Sequence, residues 1–366
     1  MANNKNQHFV PRCHLKPFTK DGAGLAINLF NLAQARAITD APVKNQSSRD
    51  YFYGKDPRLE SAINLVENGY AEVTADIFAK SGSVKPGHQI VLRRFAYLQF
   101  LRTEARARAM ADHTFAMTDL PGLELDRPSL KDSMREAVQA AMLHYASSMR
   151  IVDDLKVCLV RNETSIPFFT SDDPAVLANR WHQRDARTKG RSFGVGKAGA
   201  IFVLPLSPEV LCLLYDGDVY SVARDGGWVV VRKPSDVRLL NEHQILNCAA
   251  NLYFRNWSGR EDVAAQAGRA ASARPKLAME VVTAVLGETT DWGSRYDVVP
   301  KASLKPGQQT LIHVLTNHPR PSGWPSFLSF RNGGKVYGNN TGAGYTRRWC
   351  VEQGFVSGTG YYKQPA

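Results

Sequence analysis

The sequence predicts an α+β fold. A bundle of three helices, spanning about residues 57–152, is inserted between a short N-terminal β element and a mostly antiparallel sheet, and a small β-rich tail follows. Three observations carry this expectation. Apolar residues recur at helical spacing from Pro57 to Ile151, they run together in strand-length blocks from Leu155 onward, and composition shifts near residue 280. With 366 residues, 43% of them hydrophobic, the chain can bury a sizeable core and should hold more than one unit.

Taken in order, "LAINLFNL" and the polar stretch closing on "YFYG" at Tyr51–Gly54 read as a strand, a turn region and a second short strand. In the first helix, Leu59, Ile63, Val66, Tyr70 and Val73 fall on one stripe. A second helix follows the breaker "SVKPG" and runs from about His88 to Met117, with Ile90, Leu92, Phe95, Leu98 and Leu101 on its apolar side. The third, from about Ser129 to Ile151, is entered after a proline. The blocks "LKVCLVRN", "IPFFTSD", "AIFVLPLS", "VLCLLYDG" and "GWVVVRK" then read as strands of a sheet covered on both faces. The two prolines of "LPLSP" mark a hairpin between the third and fourth blocks. A helix over "PSDVRLLNEHQILN" closes a core of residues 1–257, and residues 258–280 read as a linker or short helix. Residues 281–366 hold twelve of the 28 glycines and more than twice as many basic as acidic residues, which sets them apart as a basic, aromatic tail.

Composition narrows the classes of function. The five cysteines form no CxxC pair, so neither a disulfide framework nor a cysteine-rich zinc site is expected. No apolar run reaches membrane-spanning length, and the first residues lack the layout of a secretory signal, so a cytoplasmic protein with no membrane partner is expected. A net charge of +12 favours polyanions, nucleic acid first among them. GxxxxGK[ST], HExxH, GxSxG and a strand-borne GxGxxG are absent, which disfavours the familiar nucleotide, hydride and serine-hydrolase chemistries.

Two stretches remain as candidates for chemistry. In "QHFVPRCHLKPF" the prolines stiffen the backbone around His8; the ring can serve as a base, or simply cap a turn while Phe9, Val10, Leu15 and Phe18 anchor the terminus. In "PFFTSDDPAV" a buried strand ends on Asp172 and Asp173, which form either an Asp-Pro turn or the rim of a site for a hard cation. Glu60 and Glu67 share one face of the first helix and can extend such a site, or form ion pairs with Arg94 and Arg102 of the second. Asn241 can orient a phosphate or a water, or tie down a neighbouring loop.

These stretches, with "YFYG", "FLRT" and "LPLSP", occur in an order that resembles a bacterial family catalogued as a domain of unknown function, number four-two-three-eight. Its members carry a QHxxPxxxLxxF opening and a central TSDxP. The resemblance covers about residues 6–257, leaves the tail as an addition, and draws attention to His8, Asp172 and Asn241 without implying a reaction.

Two functions follow as expectations. One is a metal-dependent phosphodiesterase or nuclease acting on RNA or DNA, as a toxin or antiviral effector. There Asp172, with Asp173, Glu60 or Glu67, holds magnesium or manganese, His8 is base or ligand, and Arg94 or Arg102 meets the phosphate charge. The other is a non-catalytic protein that binds nucleic acid or a partner through Trp292, Trp324 and Trp349 with Arg347 and Arg348. In its metal-dependent form the first requires His8, Asp172 and a Glu60 or Glu67 carboxylate to converge within hydrogen-bond or single-metal reach.

Overall fold

The strands from Leu155 onward are apolar on both faces, so each face needs a cover, and two different parts of the chain supply them. The computed structural model describes residues 5–79, 82–118, 128–188, 191–291, 293–305 and 307–366. The chain opens with β1 (Asn6–His8), α1 (Arg12–Leu15), β2 (Ala26–Asn31), β3 (Arg36–Pro42) and β4 (Ser48–Asp50). The helices α2 (Pro57–Ala79), α3 (Pro86–Leu101), α4 (Glu104–Thr118) and α5 (Leu130–Ser148) come next. Then follow β5 (Lys156–Asn162), β6 (Thr170–Ser171), β7 (Val176–Ala178), α6 (Arg180–Arg184), β8 (Ile201–Pro205), β9 (Val210–Tyr215), β10 (Tyr220–Val222), β11 (Trp228–Val231), α7 (Pro234–Asn247) and β12 (Asn251–Phe254). The last part holds α8 (Arg260–Ala270), β13 (Met279–Thr290), β14 (Gly293–Val299), β15 (Thr310–Thr316), β16 (Leu328–Phe330), β17 (Lys335–Gly338), β18 (Thr346–Arg347), α9 (Arg348–Glu352) and β19 (Tyr362–Pro365).

The helical stripe of α2 buries Ile63, Tyr70 and Ile77, and Tyr70 stacks on Phe95 of α3 with ring centroids 3.5 Å apart. Ser129 caps α5, its hydroxyl oxygen accepting from the Asp132 amide at 3.1 Å. The expected second helix is two helices. Arg102 and Thr103 leave the helical path because their side chains are drawn to partners, Arg102 to Glu67 and Thr103 to Asp173. The bundle therefore has four long helices instead of three.

The central sheet runs β11-β5-β9-β8-β7, antiparallel apart from β11 beside β5. Alternation sends Val157, Leu159, Cys212 and Leu214 into the core shared with the helices, and Cys158, Val160, Leu211 and Leu213 into a second core. That second core is closed by Val237 and Leu240 of α7 together with Leu328 and Val336 of the tail. The tail is thus built onto the core, as the pairing of β16 with β10 also requires. Residues 258–280, read as a linker or short helix, contain α8, which packs Val263, Ala267 and Ala270 under Phe30 and Phe254.

A second sheet, β3-β2-β12-β6, gathers the N-terminal β element with strands far along the chain. Of the expected strand "IPFFTSD" only Thr170 and Ser171 pair, both with β12, because the turn that follows begins at Asp172.

Candidate functional site

Gln7 organises the region around His8. β1 pairs with β4, so Gln7 points inward, where its amide accepts from the Tyr53 N–H at 2.7 Å and donates to the Gly54 carbonyl at 3.0 Å and to Glu60 at 3.4 Å. Gly54 sits at φ +97°, so the glycine of "YFYG" is demanded by the backbone, and a Cβ there would also push aside the Gln139 amide 2.7 Å away. Beside Gln7, His8, Arg12, Glu60, Asn64 and Glu67 line a small cavity of about 210 Å³.

His8 is half-buried, and its Nε2 has no hydrogen-bond partner. Burial lowers its pKa below the ordinary 6.5, Arg12 and Arg102 push the same way, and the Val43 backbone and Glu67 oppose. The ring is therefore neutral at physiological pH with a free lone pair or N–H, depending on tautomer. Arg102, by contrast, is fully buried and committed. It donates to Glu67 at 2.6 Å and, through two nitrogens, to Gln99 at 3.0 and 2.9 Å, and Gln99 in turn donates to the Phe9 carbonyl at 2.9 Å. It fastens α2, α3 and the N-terminal segment together. Glu60 and Glu67 do share a face of α2, as expected.

Asp172 does not join this cavity. Its carboxylate accepts from the amides of Ala249, Ala250 and Asn251 at 2.8, 2.8 and 2.9 Å, capping the turn between α7 and β12. Asp173 accepts from Thr103 at 3.0 Å and lies 3.6 Å from Arg106, and burial pushes its pKa up to about 6. The histidine that reaches the "TSDDP" stretch is His14, held between Thr170 at 3.0 Å and Tyr70 at 2.9 Å; burial lowers it to about 3, so it is a neutral structural ring. Among the described residues no group of three or more His, Cys, Asp or Glu is arranged to hold a metal ion. The grouping of Asp172 with Glu60 or Glu67 around magnesium or manganese is therefore not assembled among the described residues, because the amides of Ala249, Ala250 and Asn251 occupy the Asp172 oxygens.

Arg94 pairs with Asp153 at 3.4 Å and lines no part of the His8 cavity. Asn241 is fully buried and pins the "PFFT" backbone, donating to the Pro167 carbonyl at 3.0 Å and accepting from the Phe169 amide at 3.4 Å. In the tail, Arg347 is buried, Arg348 pairs with Asp218, Trp349 donates to the Arg150 carbonyl and Trp324 packs on His243, so these groups serve packing; Trp292 lies outside the described residues.

A larger cleft, of about 780 Å³, adjoins the His8 cavity, since Cys13 and Ala71 line both. Its walls carry Lys16, Phe78, Arg161, Trp228 and Arg255. Arg161 lies over the Trp228 ring at 4.6 Å, and among the described residues neither it nor Lys16 pairs with a carboxylate. Arg255 pairs with Glu209 at 2.6 Å. The sequence held no sign of this cleft, because Arg161 and Trp228 become neighbours only through the parallel pairing of β5 with β11, where Trp228 stands opposite Leu159 on the same face as Arg161. Between the two cavities the Cys13 thiol is pushed up to about 12 by burial and stays protonated.

The model of the family described as "Protein of unknown function (DUF4238)" matches residues 6–258. The chain belongs to this family. No curated protein and no solved structure gives a match. The DUF4238 region ends just after β12, so it contains the His8 cavity, the large cleft and the central sheet, while α8 and the strands that follow it lie beyond the match.

Proposed function

We propose that this DUF4238 protein cleaves phosphodiester bonds in RNA or DNA, with His8 as the general base and the adjoining cleft as the seat of the strand. The observation that carries the reading is the unpartnered Nε2 of His8, on a ring kept neutral by burial, in a cavity that shares Cys13 and Ala71 with a cleft offering unpaired cations and an aromatic platform. Water attacks phosphorus, its proton passes to His8, the P–O bond to the leaving oxygen breaks, and that oxygen takes a proton from solvent. Arg12, exposed beside His8, meets the phosphate charge. Arg102 sets the position of Glu67 and so the field at His8. No step is routed through a cation.

The test is cleavage of labelled single-stranded RNA and DNA by the full chain, with chelator, with magnesium and with manganese. His8→Ala is expected to lower the rate by about 10²–10⁴, the usual worth of a positioned acid–base group. The acidic limb of the wild-type rate profile is expected below pH 6.5, the ordinary histidine value, and should vanish in H8A. Equal cleavage in both proteins, or none under any condition, would remove the assignment. Retained binding without cleavage would favour the second reading, a non-catalytic nucleic-acid-binding protein, for which Arg161 over Trp228 is the supporting observation. A role as toxin or antiviral effector adds that expression slows host growth and that H8A relieves it.

A further inference from the structure

The "TSDDP" stretch, which the proposed chemistry leaves aside, opens onto another cavity of about 300 Å³. Arg106 and Arg108 of α4 line it, with Asp173, Asn247, Arg274 and Lys276. Counting Asp112 as well, four cations face two carboxylates.

Each inner arginine makes one hydrogen bond through Nη2 and none through Nε. Arg106 donates through Nη2 to Asn247 at 3.3 Å and lies over the Phe100 ring at 4.5 Å; its Nε is buried and makes no hydrogen bond, its ion pair with Asp173 being 3.6 Å long. Arg274 donates through Nη2 to the Cys248 carbonyl at 2.6 Å, and its Nε too is buried and unpartnered. Asn247 is itself fixed, since its amide donates to the Asp173 carbonyl oxygen at 2.7 Å. A buried guanidinium N–H without a hydrogen-bond acceptor is unfavourable, and the empty Arg274 Nε, with the loosely paired Arg106 Nε on the same cavity, leaves donor capacity for an oxygen-rich partner. Asp173 meets that need only in part: its Oδ2 faces the Arg106 Nε at 3.6 Å, longer than a hydrogen bond, while its Oδ1 accepts from Thr103.

We propose that this cavity binds a compact phosphoryl oxyanion, either free phosphate or the phosphate end of a small molecule, gripped by Arg106 and Arg274 and flanked by Arg108 and Lys276. Among the described residues no aromatic ring lines it, so recognition rests on the anion. Two of its cations, Arg274 and Lys276, lie beyond the family match at residues 6–258, so the C-terminal addition completes a site that the DUF4238 region only begins. This inference is independent of the chemistry proposed at His8.

Calorimetric titration and thermal unfolding of the full chain with inorganic phosphate, pyrophosphate and a nucleoside 5′-monophosphate test it, against chloride at equal ionic strength. Saturable binding and a raised Tm are expected with at least one of them, and the tightest of the three identifies the source of the phosphoryl group. Arg274→Gln should weaken binding by about tenfold or more, the loss of one charge-assisted contact. Should R274Q fold poorly, the exposed pair R108Q/K276Q should weaken binding several-fold with Tm in chloride unchanged. Lys44→Gln, exposed and lining neither this cavity nor the large cleft, should bind as wild type. No Tm rise beyond chloride, or equal affinity in R274Q, R108Q/K276Q and wild type, would overturn the proposal and leave water as the partner of the two arginines.

Discussion

Replacing Arg347 by methionine tests whether residues 259–366 are part of one cooperative structure. The side chain is fully buried, it ion-pairs with Asp154, and it donates to the carbonyls of Val195 at 3.0 Å and Ile151 at 2.7 Å. Methionine fills much of the volume but leaves the largely covered Asp154 without its counter-charge and two carbonyls without a donor. Removing one member of a buried pair costs about 3–5 kcal/mol, and we expect about 4 kcal/mol here. Burial already raises the pKa of Asp154 above 3.8 while Arg347 holds it down. In the variant it climbs further, so the native state holds a proton that the unfolded state has released, and stability falls as pH rises through that interval. The deficit of R347M should therefore be larger near pH ~8 than near pH ~5. Urea unfolding followed by tryptophan fluorescence gives both quantities. A loss under about 1 kcal/mol, or an early transition that melts the tail while the rest keeps wild-type stability, would refute the reasoning.

Asp173 has a native pKa of about 6 against an ordinary 3.8, a gap that corresponds to about 3 kcal/mol. Its stabilising effect is complete below the unfolded value and lost as pH rises through about 6, so Asp173→Asn should flatten the fall in urea midpoint across that window; an unchanged profile would count against it. Asp172→Ala removes the acceptor of three backbone amides and should destabilise by about 2–4 kcal/mol, with kcat at permissive temperature unchanged; a loss of kcat at full stability would return Asp172 to the chemistry. Trp228→Ala should weaken oligonucleotide binding by about 1–3 kcal/mol, some 5- to 150-fold, read by fluorescence anisotropy. Equal affinity would empty the cleft of its assigned role.

Much of the architecture was legible because burial follows period. The stripe on α2, the doubly apolar runs of β5, β8 and β9, and the hairpin at "LPLSP" all carry local signals that the fold obeys. What was illegible is what depends on distant partners. The helix break at Arg102 and Thr103 answers to Glu67 and Asp173, and "FLRT" alone contains no breaker. Likewise Asp172 looks the same in sequence whether its oxygens face a cation or three amides seventy-seven and more residues away. The polar composition of the site was half legible: His8, Glu60 and Glu67 share a cavity, whereas Arg94, Asp172 and Asn241 were singled out for traits that packing also demands.

β12 stands between β2 and β6 in the second sheet, and Asn251 accepts a bond from Asn31 across a separation of 220 residues. A ribosome must therefore make more than two-thirds of the chain before β2 and β6 acquire the strand that joins them. Until then both present open edges, so truncation ahead of residue 251 should yield a species prone to aggregate, and closure of so long a loop sets a slow step late in folding.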